Sequence, residues 1–227
     1  MTCVNGDIVL RLENLRKEFP EPSGVLHVLR GLSLSLRRGE IVMLMGPSGS
    51  GKTTLLQIAG CLIRATEGRV EIAGRDIGQA SEAQRLRVRR KHLGFVFQSF
   101  HLVDALTAYD NVALAQRLRR QPIQRNRILE MLDQLGIASK AKKLPRDLSG
   151  GEKQRIAIAR GLIGSPDVLL ADEPTSQLDS HSAEVVSELL RQAVRQYNPA
   201  VIVATHDPRL SSIADRQIRL ENGVFHE

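Results

Sequence analysis

Three short segments carry residue types that can do phosphate chemistry. The first is Gly46-Pro47-Ser48-Gly49-Ser50-Gly51-Lys52-Thr53, continued by Thr54. Its spacing matches the Walker A pattern. Glycines let backbone N–H groups close around phosphate oxygens, and a helix starting behind them adds a favourable dipole. Lys52 supplies positive charge to β- and γ-phosphates, and the Thr53 hydroxyl is a hard oxygen ligand for Mg²⁺. By itself the loop implies only a nucleotide binder, and a kinase or GTPase has the same need.

The second segment is Val168-Leu169-Leu170-Ala171-Asp172-Glu173-Pro174, an apolar run ending in two carboxylates. Asp172 at the end of a strand can hold Mg²⁺ through water. Glu173 beside it can orient and deprotonate an attacking water, which argues for hydrolysis over transfer to an acceptor. Gln98 ends another apolar run, Leu93 to Phe97, within reach of a metal or the attacking water. His206 follows a third, in Ala204-Thr205-His206-Asp207, on the edge where α/β sheets bind ligands. That position gives it a γ-phosphate role.

The third segment is Leu148-Ser149-Gly150-Gly151-Glu152-Lys153-Gln154. Ser149 with Glu152 is a capping box, and a helix is expected over 154–164. A capping box does not need two glycines. Gly150 and Gly151 expose backbone N–H groups at a helix start, which makes a second anion site.

Together with Ser176-Gln177-Leu178-Asp179, these motifs stand in the order and spacing of ABC-transporter ATPase domains, and the chain resembles that family from about Asp7 to Val224. The resemblance implies ATP with Mg²⁺, the metal being held by Thr53, Gln98 and Asp172. It implies a head-to-tail homodimer with each ATP between Walker A of one subunit and the signature 149–151 of the other. Phe19 fits the aromatic position that stacks on adenine, and Asp179 fits the loop linking the two sites. The segment Gln98 to Leu106 would lie near the groove that receives a transmembrane permease. Ala65 to Gly68 and Leu106 to Val112 resemble the group serving lipoprotein release and macrolide export. Gln177 and Lys153 depart from the commoner residues without removing a catalytic group. An alternative within the family is an ATPase driving a periplasmic mechanical event through a permease-like partner. A soluble family member acting on DNA or in translation would carry a long coiled-coil insertion or two fused halves, and neither is present.

The elements that must position these residues follow from periodicity. Ile8, Leu10, Leu12; Leu32, Leu34, Leu36; and Val70, Ile72 alternate like half-buried strands. Ile41 to Met45, Val168 to Ala171 and Ala200 to Ala204 are continuous apolar runs, each followed by a helical pattern, as in a parallel sheet with crossover helices. Ile128, Leu129, Leu132 and Leu135 repeat at helix spacing, and Gly136 marks a stop. The expected fold is α/β: a P-loop NTPase core with a mostly parallel sheet, an N-terminal antiparallel β subdomain and an inserted α-helical subdomain. All 227 residues form one domain, with 1–97 and 166–227 as the nucleotide-binding core and 98–165 as the insert.

Composition agrees with this class. Hydrophobic residues at 42% and charged residues at 25% fit an ordinary globular domain. No apolar run nears the ~20 residues that span a bilayer, and no signal peptide is expected. The expected place is the cytoplasm, peripheral at the inner face of the membrane. Cys3 and Cys61 make no disulfide framework, and Cys61 fits a small buried residue. Net charge is +7, with basic clusters at 85–91, 117–127 and 140–146. Aromatic residues are only 3%, too few to stack single strands, so these clusters are expected to be solvated or membrane-facing and no nucleic acid is expected.

Overall fold

Alternating and continuous apolar runs build two different sheets in a computed structural model, which describes residues 7–22 and 24–226. Cys3 lies outside the described residues. The alternating runs form β1 (Ile8–Glu21), β2 (Gly24–Arg37), β4 (Glu67–Ile72) and the short β5 (Arg75–Asp76), ordered β2-β1-β4-β5 and antiparallel throughout. Leu10, Leu12, Leu32, Leu34, Leu36, Val70 and Ile72 face the core from it.

The continuous runs form β3 (Ile41–Met45), β6 (Leu93–Val96), β7 (Val168–Asp172) and β8 (Ala200–Ala204). With β9 (Arg216–Glu221) and β10 (Val224–His226) they order as β10-β9-β3-β8-β7-β6. All pairs are parallel except β9 with β10. Strands β7 and β8 are almost wholly buried, as covering on both faces requires.

Helix α1 (Lys52–Ala59) follows β3, α2 (Glu82–His92) precedes β6, and α6 (Ser180–Tyr197) follows β7. Between β6 and β7 come α3 (Ala108–Leu118), α4 (Arg125–Gln134) and α5 (Gly150–Leu162). Ile128, Met131 and Leu132 of α4 are buried, and Gly136 beyond its end takes φ 65°, a left-handed stop. Helix α5 begins four residues before the expected Gln154, because Ser149 caps it directly.

Two glycines let α5 lie on β6 backbone to backbone. A Cβ on Gly94 would stand 2.3 Å from the Gly161 carbonyl oxygen, and one on Gly161 3.1 Å from that of Phe95.

The basic cluster at 85–91 is not simply a solvated face. It forms α2, which periodicity did not announce, and Arg85 is buried. Arg85 and Arg89 both donate to the Cys61 carbonyl, at 2.8 and 2.7 Å. Cys61 itself is buried just past α1 with φ 58°, and burial pushes its thiol up to about 11. Arg119, beyond α3, donates to the carbonyls of Lys91, Gly164 and Leu93 and so fastens the helical region to the start of β6. Desolvation lowers its pKa, so the charge is held by those acceptors.

Arg119→Met leaves these carbonyls without their charged donor. We expect a loss of about 2–3 kcal/mol in unfolding free energy, read as a lower urea midpoint at unchanged slope.

Candidate active site

The carboxyl ends of β3, β8, β7 and β6 open into one cavity of about 730 Å³. It is lined by Val28, Gly46 to Thr54, Gln98, Asp172, Glu173 and His206. The strand ends thus bring together the Walker A loop, Gln98, both carboxylates and His206.

The loop is shaped by its glycines. Gly46 at φ 151° has no room for a side chain, since a Cβ would stand 2.1 Å from the Leu220 carbonyl oxygen. Gly51 at φ 105° is the N-cap of α1, and no side chain caps that helix. Its first N–H groups are therefore free for an anion. Lys52 is 8% exposed and its Nζ donates to the Gly46 and Pro47 carbonyls, at 2.7 and 3.0 Å. The ammonium is held inside the loop by weak acceptors that a phosphate oxygen would replace. The Ser50 hydroxyl is also buried here without a partner.

The carboxylates are held differently. Thr53 Oγ1 donates to Asp172 Oδ2 at 3.1 Å. Burial pushes the Asp172 carboxyl above its usual range; Thr53 and Lys52 oppose this, and the neighbouring Glu173 charge adds to it. Glu173 takes φ 47°, a left-handed position that a long side chain rarely adopts. Its Oε1 lies 2.9 Å from His206 Nδ1, and its Oε2 accepts from Thr205 Oγ1 at 3.1 Å. Thr205 is a site residue that the sequence reading missed, since a threonine at a strand end carries no signal of its own. Two residues on, Asp207 accepts from Thr175 Oγ1 at 2.7 Å and from Arg209, which holds its carboxyl down at about 2. This pair ties the loop carrying His206 to the one carrying Glu173.

Five predicted residues lie outside this cavity. Phe19 sits on the β1–β2 hairpin, with Lys17 Nζ 4.6 Å above its ring. Ser149, Gly150 and Gly151 open α5, where Ser149 Oγ accepts from Glu152 N and Glu152 Oε2 accepts from Ser149 N. Asp179 is the N-cap of α6 and accepts from the Ser182 N–H and hydroxyl, at 2.9 and 2.7 Å.

A family model described as "ABC transporter" matches residues 29–176. The chain belongs to the ABC transporter ATPase family. Its relatives include a lipoprotein-releasing system ATP-binding protein LolD of Paramagnetospirillum magneticum, 44% identical over 96% of this chain and 97% of that protein. The LolD protein of Granulibacter bethesdensis is 47% identical over 94% of each. A macrolide export ATP-binding/permease protein MacB of Escherichia coli is 41% identical over 95% of this chain but only 33% of its own length. Among solved structures, the dimeric cassette MJ0796 superimposes with TM-score 0.88 at 36% identity, covering 96% of this chain and 97% of that one. A second structure of MJ0796, titled as a post-hydrolysis state bound to ADP and Pi, has TM-score 0.88 at 37% identity. This ABC ATPase therefore hydrolyses ATP.

For this ABC ATPase, Glu173→Gln keeps an acceptor and a donor beside His206 and Thr205 but loses the carboxylate, the group expected from the sequence to act as base. The expected result is normal ATP binding with turnover reduced by ~10²–10⁴-fold. Single-turnover hydrolysis alongside nucleotide binding checks both halves.

Proposed function

We propose that this chain powers a lipoprotein-release-type transporter as a homodimer, beneath a permease carried on a separate polypeptide. One observation carries the reading. Each copy has two phosphate-ready helix starts, α1 and α5, and only α1 opens into the cavity that holds the carboxylates. ATP held by Gly46 to Thr54 of one copy is then closed by Ser149, Gly150 and Gly151 of the other, with Phe19 against the adenine.

Lys52 leaves its loop carbonyls for phosphate oxygens. Glu173 takes the proton of the attacking water, while His206 and Thr205 fix its carboxylate. Gln98 holds the water or the metal, and Asp179 supports the opposite site from the start of α6. Mg²⁺ fits the oxygen donors Thr53, Gln98 and Asp172. Among the described residues no group of three His, Cys, Asp or Glu side chains could hold a metal unaided, so phosphate oxygens and water would supply the other ligands. Bound there, Mg²⁺ neutralises phosphate charge.

The separate permease is supported by the LolD relatives, which match this chain over nearly their whole length. No helix among the described residues is long and apolar enough to cross a membrane. On this reading the chain works at the inner face of the membrane and in the cytoplasm, held there by its partner. The docking surface is a groove of about 480 Å³ between α2, β6 and α3, lined by Leu62, Phe97, His101, Val103 and Leu118 among others. Leu118 is 58% exposed, Leu62 44% and Val103 42%. Phe100, on the same loop, is half-buried, with a ring atom 4.0 Å from where a Cβ on Gly150 would be. The exposed leucines offer the larger apolar contacts.

Two measurements test this. Glu173→Gln should sediment as a dimer with ATP and as a monomer with ADP; equal mass in both would remove the composite site. Leu118→Asp should leave ATP dimerisation intact and weaken permease capture on the order of 30-fold or more, as for loss of an interface anchor. Capture at wild-type strength would place the dock elsewhere.

A further inference from the structure

Gln98 and the signature residues face different nucleotides in the dimer proposed above. Gln98 lines the cavity of its own chain, while Ser149, Gly150 and Gly151 close the cavity of the other copy. The structure fastens the two segments together through Arg160 of α5.

At the start of α5, the Phe100 ring and Leu178 approach the backbone of Gly150. A Cβ there would stand 3.4 Å from Leu178 and 4.0 Å from Phe100. Ten residues further on, roughly 15 Å along the helix axis, Arg160 reaches the same loop. Its Nη2 donates to the Phe100 carbonyl at 2.6 Å, and its Nη1 donates to the His101 carbonyl.

The loop is shaped for that fork. Phe100 and His101 take φ 58° and 49°, two consecutive non-glycine residues in the left-handed region. Such backbone persists only where the surroundings over-determine it. A planar guanidinium can satisfy two neighbouring carbonyls at once, whereas an ammonium is a point donor. Strand β6, which delivers Gln98, is seated on α5 at Gly94 and Gly161, next to Arg160. Arg160 does not line the phosphate cavity, so it acts through the loop rather than on the reacting atoms.

We propose that Arg160 is a positioning residue that couples the two ATP sites, by making the placement of Gln98 depend on the placement of α5. This rests on the dimeric reading of the function. When one nucleotide engages the start of α5, the helix carries the Phe100–His101 carbonyls with it. Gln98, two residues before them, then moves against the other nucleotide. Linkage makes the effect reciprocal, so binding at either site biases the other.

The test is the ATP dependence of hydrolysis by the full-length dimer, for wild type, Arg160→Ala and Arg160→Lys. The expected result is a sigmoidal wild-type curve whose Hill coefficient falls toward one in both variants. kcat should drop on the order of 10–100-fold, as for a misplaced catalytic group. Binding of a non-hydrolysable ATP analogue to the monomer should stay at wild-type strength. A hyperbolic wild-type curve overturns the proposal. So does an unchanged Hill coefficient in folded Arg160→Ala, whatever happens to kcat. Should Arg160→Ala fail to fold, Arg160→Lys decides by the same criterion. Sedimentation of each variant combined with Glu173→Gln, with ATP, separates the two levels. No ATP dimer even with wild-type Arg160 sinks the dimeric reading, whereas a normal dimer with unaltered cooperativity sinks only the role of Arg160.

Discussion

Parallel register is the constraint on which the site depends. Leu44 pairs with Ala204, Ala204 with Asp172, and Ala171 with Val96. Thr205 and Glu173 come one residue beyond Ala204 and Asp172, and Gly46, Gln98 and His206 come two beyond Leu44, Val96 and Ala204. Four chain segments separated by up to 160 residues (Gly46 to His206) thus reach the same edge at nearly the same height. Were one strand to slip by a residue, its polar group would leave that level and its buried side chains would change faces. Nothing in the loops compensates for such a slip, so the apolar fit of β3, β7 and β8 fixes catalytic geometry as well as stability.

Within that edge, two carboxyl groups of like chemistry are pushed in opposite directions. Asp172 is raised by burial, with Glu173 beside it adding to the effect. Asp207 is held down at about 2 by Arg209 and Thr175, at the base of the His206 loop. The first has an unmet demand for positive charge, which suits a metal or a lysine freed from its carbonyls. The second is already satisfied and serves as a fixed strut.

Much of this was legible in the sequence, because the phosphate loop, the double carboxylate and the capping box are local patterns. A helix start or a strand end needs only a few consecutive residues to declare itself. The central strands were legible for the same reason, since burial on both faces leaves an uninterrupted apolar run. Arginine was not legible in this way. Arg85 and Arg119 fell in clusters read as solvated or membrane-facing and Arg160 drew no reading, yet all three answer backbone carbonyls that local sequence cannot show to be orphaned. Helix α2 was hidden by the same chemistry, because its charged residues erase the apolar period. The left-handed backbone at Phe100 and His101 was hidden as well, since neither residue is a glycine that would announce it.

The contact between Gly94 and Gly161 sets how closely α5 can lie on β6. With a carbonyl oxygen 2.3 Å from where a methyl group would be, even alanine cannot enter at Gly94 without parting the helix from the strand. The exposed Leu62 and Leu118 carry no such restriction. The glycine seam does: a side chain there would shift α5 against β6, and with it the strand end that leads to Gln98.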